Sequence, residues 1–152
     1  MIHALRNNTD RGGSYLNDII DTLINIGISA VDPLIQVLLD ENTEPLRRSL
    51  AAEALGEIAD PRAIDPLIQN LKRKDSELDT ITVALGRIGD AAVDPLILAL
   101  KDDDPKVRGD VAYILGYLGN ERAIDPLKEL LNDKDLNVRD ASAEALETFG
   151  SQ

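Results

Sequence analysis

Short apolar stripes with helical spacing alternate with charged turns along nearly the whole chain. In the fourth of these units, Leu96 and Leu100 recur at the spacing that places side chains on one face of a helix. The charged segment 101–105 follows, and a second stripe predicts a helix over 105–118 that ends at Gly119, a residue suited to the left-handed conformation. Short turns make two such helices antiparallel neighbours, so the pattern predicts helix pairs and no sheet.

A period of about 31 residues runs through these helix pairs. The tripeptide Asp-Pro-Leu begins four of them, at Asp32, Asp65, Asp94 and Asp125. We expect Asp to cap the first helix and Pro to take its first position. Neither helix can bury its apolar stripe alone, so the pairs must stack. The sequence predicts one all-α domain, a right-handed α-solenoid of stacked antiparallel helix pairs. Its repeats are expected at about 1–27 (incomplete), 32–59, 65–89, 94–119 and 125–150.

Three glycines lie inside the predicted second helices, where glycine costs about 1 kcal/mol relative to alanine. We expect Gly56, Gly86 and Gly116 to permit close approach of the helix in the neighbouring repeat. The last repeat has Glu147 at the same position, which we expect to face solvent as part of a cap.

An arginine follows an acidic residue by four positions in three of the repeats. The pairs are Glu44 with Arg48, Asp104 with Arg108, and Asp135 with Arg139. Where one member is absent from a repeat the other is absent too, which indicates that they interact. Within one helix this spacing favours an ion pair worth a few tenths of a kcal/mol.

Composition excludes several chemistries. The 152 residues include no cysteine and one histidine, His3, so disulfides, cysteine–zinc sites and cysteine catalysis are excluded. The 28 acidic against 16 basic residues give a formal net charge of -12, which opposes phosphate backbones and anionic lipid surfaces. No signal-peptide core or long uncharged apolar stretch is visible. We therefore expect a cytoplasmic protein that binds neither nucleic acid nor membrane.

The repeated residues resemble a known family. The segment Val107-Arg108, the run 115–119 with its two glycines, and Ala123–Leu127 are similar to the short HEAT-like repeat of the phycobilisome (bilin) lyase family. The resemblance implies that the second helices line a concave face, and it implies bilin attachment by a partnered pair of repeat proteins as one activity. HEAT-like deoxyhypusine hydroxylases hold iron with repeated His-Glu pairs, whereas His3 here is followed by Ala4.

Aligning the second helices on their last residue identifies the outward positions, which are mostly acidic. Tyr113 and Tyr117, two of four aromatic residues, are four apart and therefore share a helix face. Either they pack between adjacent repeats or they form the centre of a binding surface, since exposed tyrosine is frequent in binding hot spots. The predicted partner-binding residues are Tyr113, Tyr117, Asp110, Asp79, Glu53, Glu57, Asp140 and Glu144.

These observations favour a non-catalytic interaction module, without metal or cofactor, that binds a protein partner such as a basic peptide or helix on an acidic concave face. One alternative is a bilin lyase-like subunit. Another is a structural piece of a longer repeat assembly. In that case, apolar end faces with Ile2 and Leu5 at one end and Phe149 at the other would stack end to end. The chain would then be an end-to-end homo-oligomer instead of a monomer.

Overall fold

The computed structural model describes residues 13–150 of the chain. Residues 1–12, which include His3 and the predicted end-face residues Ile2 and Leu5, lie outside the described residues. Within 13–150 the chain forms nine α-helices and no strand, so the predicted all-α solenoid is confirmed. The helices are α1 (Gly13–Ile26), α2 (Val31–Leu39), α3 (Pro45–Ile58), α4 (Ile64–Asn70), α5 (Leu78–Ile88), α6 (Val93–Ala99), α7 (Pro105–Leu118), α8 (Ile124–Leu130) and α9 (Leu136–Gly150).

The helices form two layers. Each even-numbered helix packs against the odd-numbered helix that follows it, and each odd-numbered helix contacts the next odd-numbered one. The leucine of every Asp-Pro-Leu tripeptide points into the core between the layers. These side chains, fully buried, are Leu34, Leu67, Leu96 and Leu127. Full burial of a leucine is worth about 2 kcal/mol, so this leucine stabilises each helix pair.

The even-numbered helices begin differently from the prediction. Asp32 and Asp94 were expected as caps, but α2 begins at Val31 and α6 at Val93, one residue earlier. A short 3₁₀ turn leads into each even-numbered helix and buries its last residue, an alanine, so the chain is already helical at the aspartate. The carboxylate lies in the first turn, where it interacts favourably with the helix dipole.

Four odd-numbered helices are followed by a residue with positive φ, and one of these residues is not glycine. Gly119 follows α7 with φ 64°, as predicted. Ala59 follows α3 with φ 55°, and it is the one non-glycine residue with positive φ among the described residues. The end of α3 is therefore strained, because this conformation costs an L-residue about 1–2 kcal/mol.

The glycines inside the odd-numbered helices do two different things. A Cβ on Gly56 would lie 2.6 Å from the Cα of Ala84 in α5, and a Cβ on Gly116 would lie 2.8 Å from the Cα of Ala145 in α9. These two glycines allow the backbones of neighbouring repeats to touch, which confirms the prediction. Gly86 in α5 instead faces the ring of Tyr117, whose Cε1 would lie 3.0 Å from an added Cβ.

The expected ion pairs within single helices are not formed by Arg48 and Arg108. Arg48 binds Asp75 in the next repeat, and Arg108 binds Asp133 in the next repeat with N–O distances of 2.8 Å. The acid four residues earlier has another role: the carboxylate of Asp104 accepts a hydrogen bond from the backbone N–H of Lys106 at 2.9 Å and caps α7. Asp135 caps α9 in the same way, whereas Glu44 makes no side-chain cap and pairs with Arg47 instead.

One stretch of the described residues, Asp21–Leu39, has the length and hydropathy of a membrane-crossing helix, with a mean hydropathy of 1.6. In the fold this stretch is divided between α1 and α2 by a 3₁₀ turn that begins at Gly27, where φ is 65°. Leu34 and Leu38 within it are fully buried in the core. The stretch contributes to the solenoid core, and the absence of a membrane partner stays a prediction.

Candidate partner-binding face

The outward side of the odd-numbered helices carries the predicted binding residues. We call this surface the B face; its described members on α3, α5, α7 and α9 are Ser49, Glu53, Glu57, Asp79, Thr80, Val83, Arg87, Gly109, Asp110, Tyr113, Tyr117, Asp140, Ala141, Glu144 and Thr148. Tyr113 is 45% exposed and Tyr117 is 59% exposed. Both aromatic rings therefore present surface to solvent on a face that is mostly polar.

Tyr117 satisfies both interpretations of the tyrosine pair. One edge of its ring lies over Gly86 of the preceding repeat, where an added Cβ would lie 3.0 Å from the ring, so the ring would have to shift to admit a side chain. More than half of the residue is nevertheless exposed. Contact on one side limits the freedom of the ring and leaves the other side open, so Tyr117 is an aromatic surface whose orientation is held before any partner arrives.

Two depressions meet at Tyr113, and this residue forms part of the wall of each. The larger, of about 450 Å³, lies between α5, α7 and α9, with Gly109 and Ala141 among its lining residues. The smaller, of about 330 Å³, lies between α7 and α9 and includes Tyr117 and Glu144. The tyrosine pair thus stands at the centre of a continuous, uneven groove.

A third depression of about 320 Å³ extends the groove toward α3. Its lining residues are Glu53, Asp79, Thr80, Val83 and Arg87. Six predicted binding residues therefore line one of the three depressions: Tyr113, Tyr117, Asp110, Asp79, Glu53 and Glu144. Glu57 and Asp140 are exposed on the same face but outside these linings.

Two of the acidic residues are neutralised by neighbouring cations. Glu57 binds Arg87 at 2.8 Å across the interface between α3 and α5. Asp110 binds the Nζ of Lys106 at 2.7 Å, one turn earlier on α7, and the same Nζ donates to the carbonyl of Leu71 at 2.8 Å.

The remaining predicted acids keep their charge uncompensated. Glu53, Asp79, Asp140 and Glu144 form no ion pair with any of the described residues. The negative potential of the B face therefore comes from these four carboxylates, which lie on α3, α5 and α9 around the tyrosine pair.

Sequence reasoning missed two contributors to this site. Lys106 lines the largest depression and holds Asp110 in place. It was missed because it is not one of the outward helix positions that were compared between repeats. Gly109 was recognised as an outward position, but nothing in the sequence indicates that its missing side chain opens a depression. That property depends on α5 and α9, which supply Leu78 and Ala141 to the same lining.

Metal ligands were also sought on this face and elsewhere. The described residues contain no cluster of three or more His, Cys, Asp or Glu side chains placed to hold a metal ion. His3 is the one histidine of the chain. The repeated His-Glu pairs of an iron site therefore cannot be assembled from this sequence.

Family comparison agrees with this architecture. A family model described as HEAT repeats matches residues 17–86 and 93–152. The chain belongs to the HEAT repeat family. A second family model, described as PBS lyase HEAT-like repeat, matches residues 80–102 of this HEAT repeat protein. The resemblance inferred from the repeated residues is thereby confirmed.

Two curated relatives have names that refer to phycocyanin or phycocyanobilin, and one of them matches only a short segment. It is 29% identical over 145 residues to the uncharacterized phycocyanin operon protein Z of Pseudanabaena tenuis, covering 88% of this chain and 71% of that one. It is 38% identical over 68 residues to phycocyanobilin lyase subunit alpha of Picosynechococcus, covering 40% of this chain. The match spans 25% of the length of that lyase subunit.

The comparisons overturn one prediction, that the protein is not an enzyme. The relatives include phycocyanobilin lyase subunit alpha and the deoxyhypusine hydroxylase of Schizosaccharomyces pombe, which is 39% identical over 70 residues, 44% of this chain and 22% of that enzyme. The prediction rested on the lack of a convergent catalytic set in one chain. That argument does not apply to an enzyme whose work is shared between subunits.

Solved structures share the fold. A chain from structural work on microtubule plus end tracking by XMAP215, CLIP-170 and EB1 aligns with a TM-score of 0.66 at 19% identity, covering 87% of this chain and 69% of that one. The complex of CpcE and CpcF of phycocyanin lyase from Nostoc sp. PCC7120 aligns with a TM-score of 0.54 at 22% identity, covering 95% and 94%. At these identities the likeness concerns the fold alone.

Proposed function

We propose that this chain is a HEAT repeat subunit of a bilin-lyase-type enzyme and that it binds its protein partner along the B face. The observation that carries the proposal is the exposed pair Tyr113 and Tyr117, which lines two adjoining depressions on a mostly polar surface. The relatives supply the enzyme class, since one is a phycocyanobilin lyase subunit and another is encoded in a phycocyanin operon.

The geometry supports a protein partner. Tyrosine offers a large amphipathic surface with few rotatable bonds, and such residues carry much of the energy of binding interfaces. Tyr117 is already held in place by its contact with Gly86, so less side-chain entropy is lost when a partner covers it.

The charge of the face supports a basic segment in that partner. Glu53, Asp79, Asp140 and Glu144 are exposed carboxylates without ion pairs among the described residues. Opposite charge on a partner raises the association rate and rejects acidic competitors, more than it raises affinity. The same field disfavours a nucleic-acid ligand, because phosphate-binding surfaces require clustered lysine and arginine.

A reconstituted bilin transfer tests the enzymatic part. The chain is combined with phycocyanobilin, with a phycocyanin subunit as acceptor, and with or without CpcF of Nostoc sp. PCC7120 as second subunit. Bilin that stays on the acceptor after denaturation is measured. We expect transfer above the spontaneous rate when the chain is present, and its absence from every combination would overturn the lyase assignment.

A matched pair of variants tests the face. Tyr113→Ala with Tyr117→Ala removes both aromatic rings, and we expect transfer to fall by about tenfold. Leu98→Ala removes an even more exposed apolar side chain from α6, in the other layer, and should leave transfer unchanged. Equal activity of both variants, with circular dichroism showing intact helices, would place partner binding elsewhere on the molecule.

A further inference from the structure

The depression of about 450 Å³ on the B face lies over Gly109, whose lack of a side chain leaves this space open. The equivalent positions of the neighbouring odd-numbered helices carry Ser49, Asp79 and Asp140. A Cβ added to Gly109 would meet nothing closer than the Cβ of Ala141, at 4.0 Å. The space over this glycine is therefore open, unlike the space over Gly56, and no packing contact explains why a helix tolerates glycine there.

Apolar and charged residues both line this depression. Gly109, Ala141, Leu78 and Pro105 contribute uncharged surface, and Tyr113 contributes its ring. The charged lining residues are Asp104, Lys106, Asp110 and Asp135. A volume of about 450 Å³ is enough for one large side chain and within the range of small ligand sites.

The charged residues that line the depression already have hydrogen-bond partners. The Nζ of Lys106 is held by Asp110 and by the carbonyl of Leu71, so this cation is already satisfied. Asp135 accepts hydrogen bonds from the backbone N–H groups of Asn137 and Val138 at the start of α9. Asp104 also caps a helix, and neither Asp104 nor Asp135 forms an ion pair among the described residues, so an entering group makes apolar contact with Tyr113 and Ala141 beside negative charge.

Unpaired carboxylates surround the depression on both sides. Asp79 lies on α5, and Asp140 and Glu144 lie on α9, each exposed. An apolar anchor flanked by basic side chains complements this arrangement. Residues three or four apart share one face of a helix, so an amphipathic helix can present both features together.

We propose that the depression over Gly109 receives one large apolar side chain of a basic amphipathic helix in the protein partner. This inference rests on the proposed function in one respect, namely that the B face is the partner-binding surface. It adds the kind of segment that is recognised and the position of its anchor. Tyr113 then contacts the anchor directly, and the carboxylates orient the helix.

Peptide binding tests this proposal without any bilin or phycocyanin. The probe is a fluorescently labelled amphipathic peptide of lysine and leucine, compared with a peptide in which serine replaces every leucine. Fluorescence anisotropy is measured at low and at physiological salt. The leucine peptide should bind wild-type protein at least about tenfold more tightly than the serine peptide. Equal affinity of the two peptides would show binding by charge alone and would overturn the proposal.

Substitutions at one position provide the control. Gly109→Leu fills the depression and should weaken the leucine peptide about tenfold while leaving the serine peptide unchanged. Gly109→Ala leaves most of the space open, since its Cβ meets ordinary contact distances, and should bind both peptides within about twofold of wild type. If folded Gly109→Leu protein binds the leucine peptide as tightly as wild type, the anchor lies elsewhere and the proposal fails.

The two proposals fail separately. Loss of bilin transfer in reconstitution, together with peptide binding that depends on Gly109, overturns the lyase assignment and leaves the helix-binding depression intact. If the chain transfers bilin but its peptide binding does not change on substitution of Gly109, the proposed binding depression is overturned and the proposed enzyme class stands.

Discussion

The guanidinium of Arg108 donates two hydrogen bonds of 2.8 Å to the carboxylate of Asp133, one repeat further along the solenoid. Its remaining terminal nitrogen donates to the carbonyls of Asp102 and Asp103 in its own turn. One side chain thus joins the turn of its own repeat to that of the next. Such charge-assisted, bidentate pairs stabilise the fold and also fix the relative orientation of the two side chains.

Replacing Asp133 with asparagine should lower the stability of the protein and should make that stability less dependent on pH in the acid range. The hydrogen bond from Arg108 holds the pKa of Asp133 below its ordinary value of 3.8. A carboxyl with a lowered folded pKa stabilises the fold fully above its unfolded pKa, and this stabilisation is lost as pH falls through the folded pKa. We expect Asp133→Asn to cost about 1 kcal/mol at neutral pH and less at pH values below the folded pKa.

Urea unfolding followed by circular dichroism at a series of pH values checks this. The exposed residue Glu121 supplies the control, because Glu121→Gln removes the same charge without touching Arg108. An Asp133→Asn protein with wild-type stability at neutral pH would mean that the bridge contributes nothing.

Alanine at Gly56 or Gly116 should destabilise the protein, although alanine favours helices. The new methyl group would lie under 3 Å from backbone atoms of Ala84 or Ala145, so two helices must separate. Overpacking of this kind costs about 1–3 kcal/mol, more than the gain of about 1 kcal/mol in helix propensity. Gly109→Ala, where space is open, should instead stabilise by about 0.5–1 kcal/mol. Thermal unfolding of the three variants gives the comparison, and the same sign at all three positions would refute it.

Alanine at Gly86 should behave differently from alanine at Gly56. Its methyl group meets the ring of Tyr117, which can rotate away, whereas the backbone of Ala84 cannot. We expect a change in stability below about 1 kcal/mol, since propensity gain and ring displacement oppose each other. The same substitution should raise the mobility of the Tyr117 ring, measured from its aromatic NMR signals. Unchanged signals would mean that Gly86 does not hold the ring.

Glycine at Ala59 should stabilise the chain by about 1 kcal/mol. Ala59 has φ 55°, a conformation that glycine adopts freely and alanine does not. The expected gain is smaller than the full strain because glycine also increases the entropy of the unfolded chain. Chemical denaturation measures the difference, and Gly119→Ala at the equivalent end of α7 should shift stability in the opposite direction.

Periodic features were predictable from the sequence, and relations between repeats were not. The second helix of the fourth repeat was expected over 105–118 and is Pro105–Leu118. Its bounds were predictable because the apolar stripe and the glycine that follows the helix are local features of the sequence. The partner of Arg108 was missed, because spacing within one helix cannot reveal a carboxylate in the next repeat. The contact of Tyr117 with Gly86 was missed for the same reason.

The proposed enzyme class rests on relatives and not on local chemistry. Among the described residues no cluster of potential metal ligands is found, and the candidate face combines tyrosines and carboxylates with a depression over Gly109. A protein partner on this face is therefore a proposal drawn from its tyrosines and charge. The proposal of an enzyme subunit required knowledge of proteins that share the repeat.

The seam between α5 and α7 is filled by an aromatic ring, whereas the seams on either side of it close backbone against backbone. A ring on rotatable bonds can yield where a backbone contact cannot. We expect elastic deformation of the solenoid to concentrate at this seam. The helices up to α5 and the helices from α7 onward would then move as two stiffer bodies. A partner that grips this residue would then also set the curvature of the molecule.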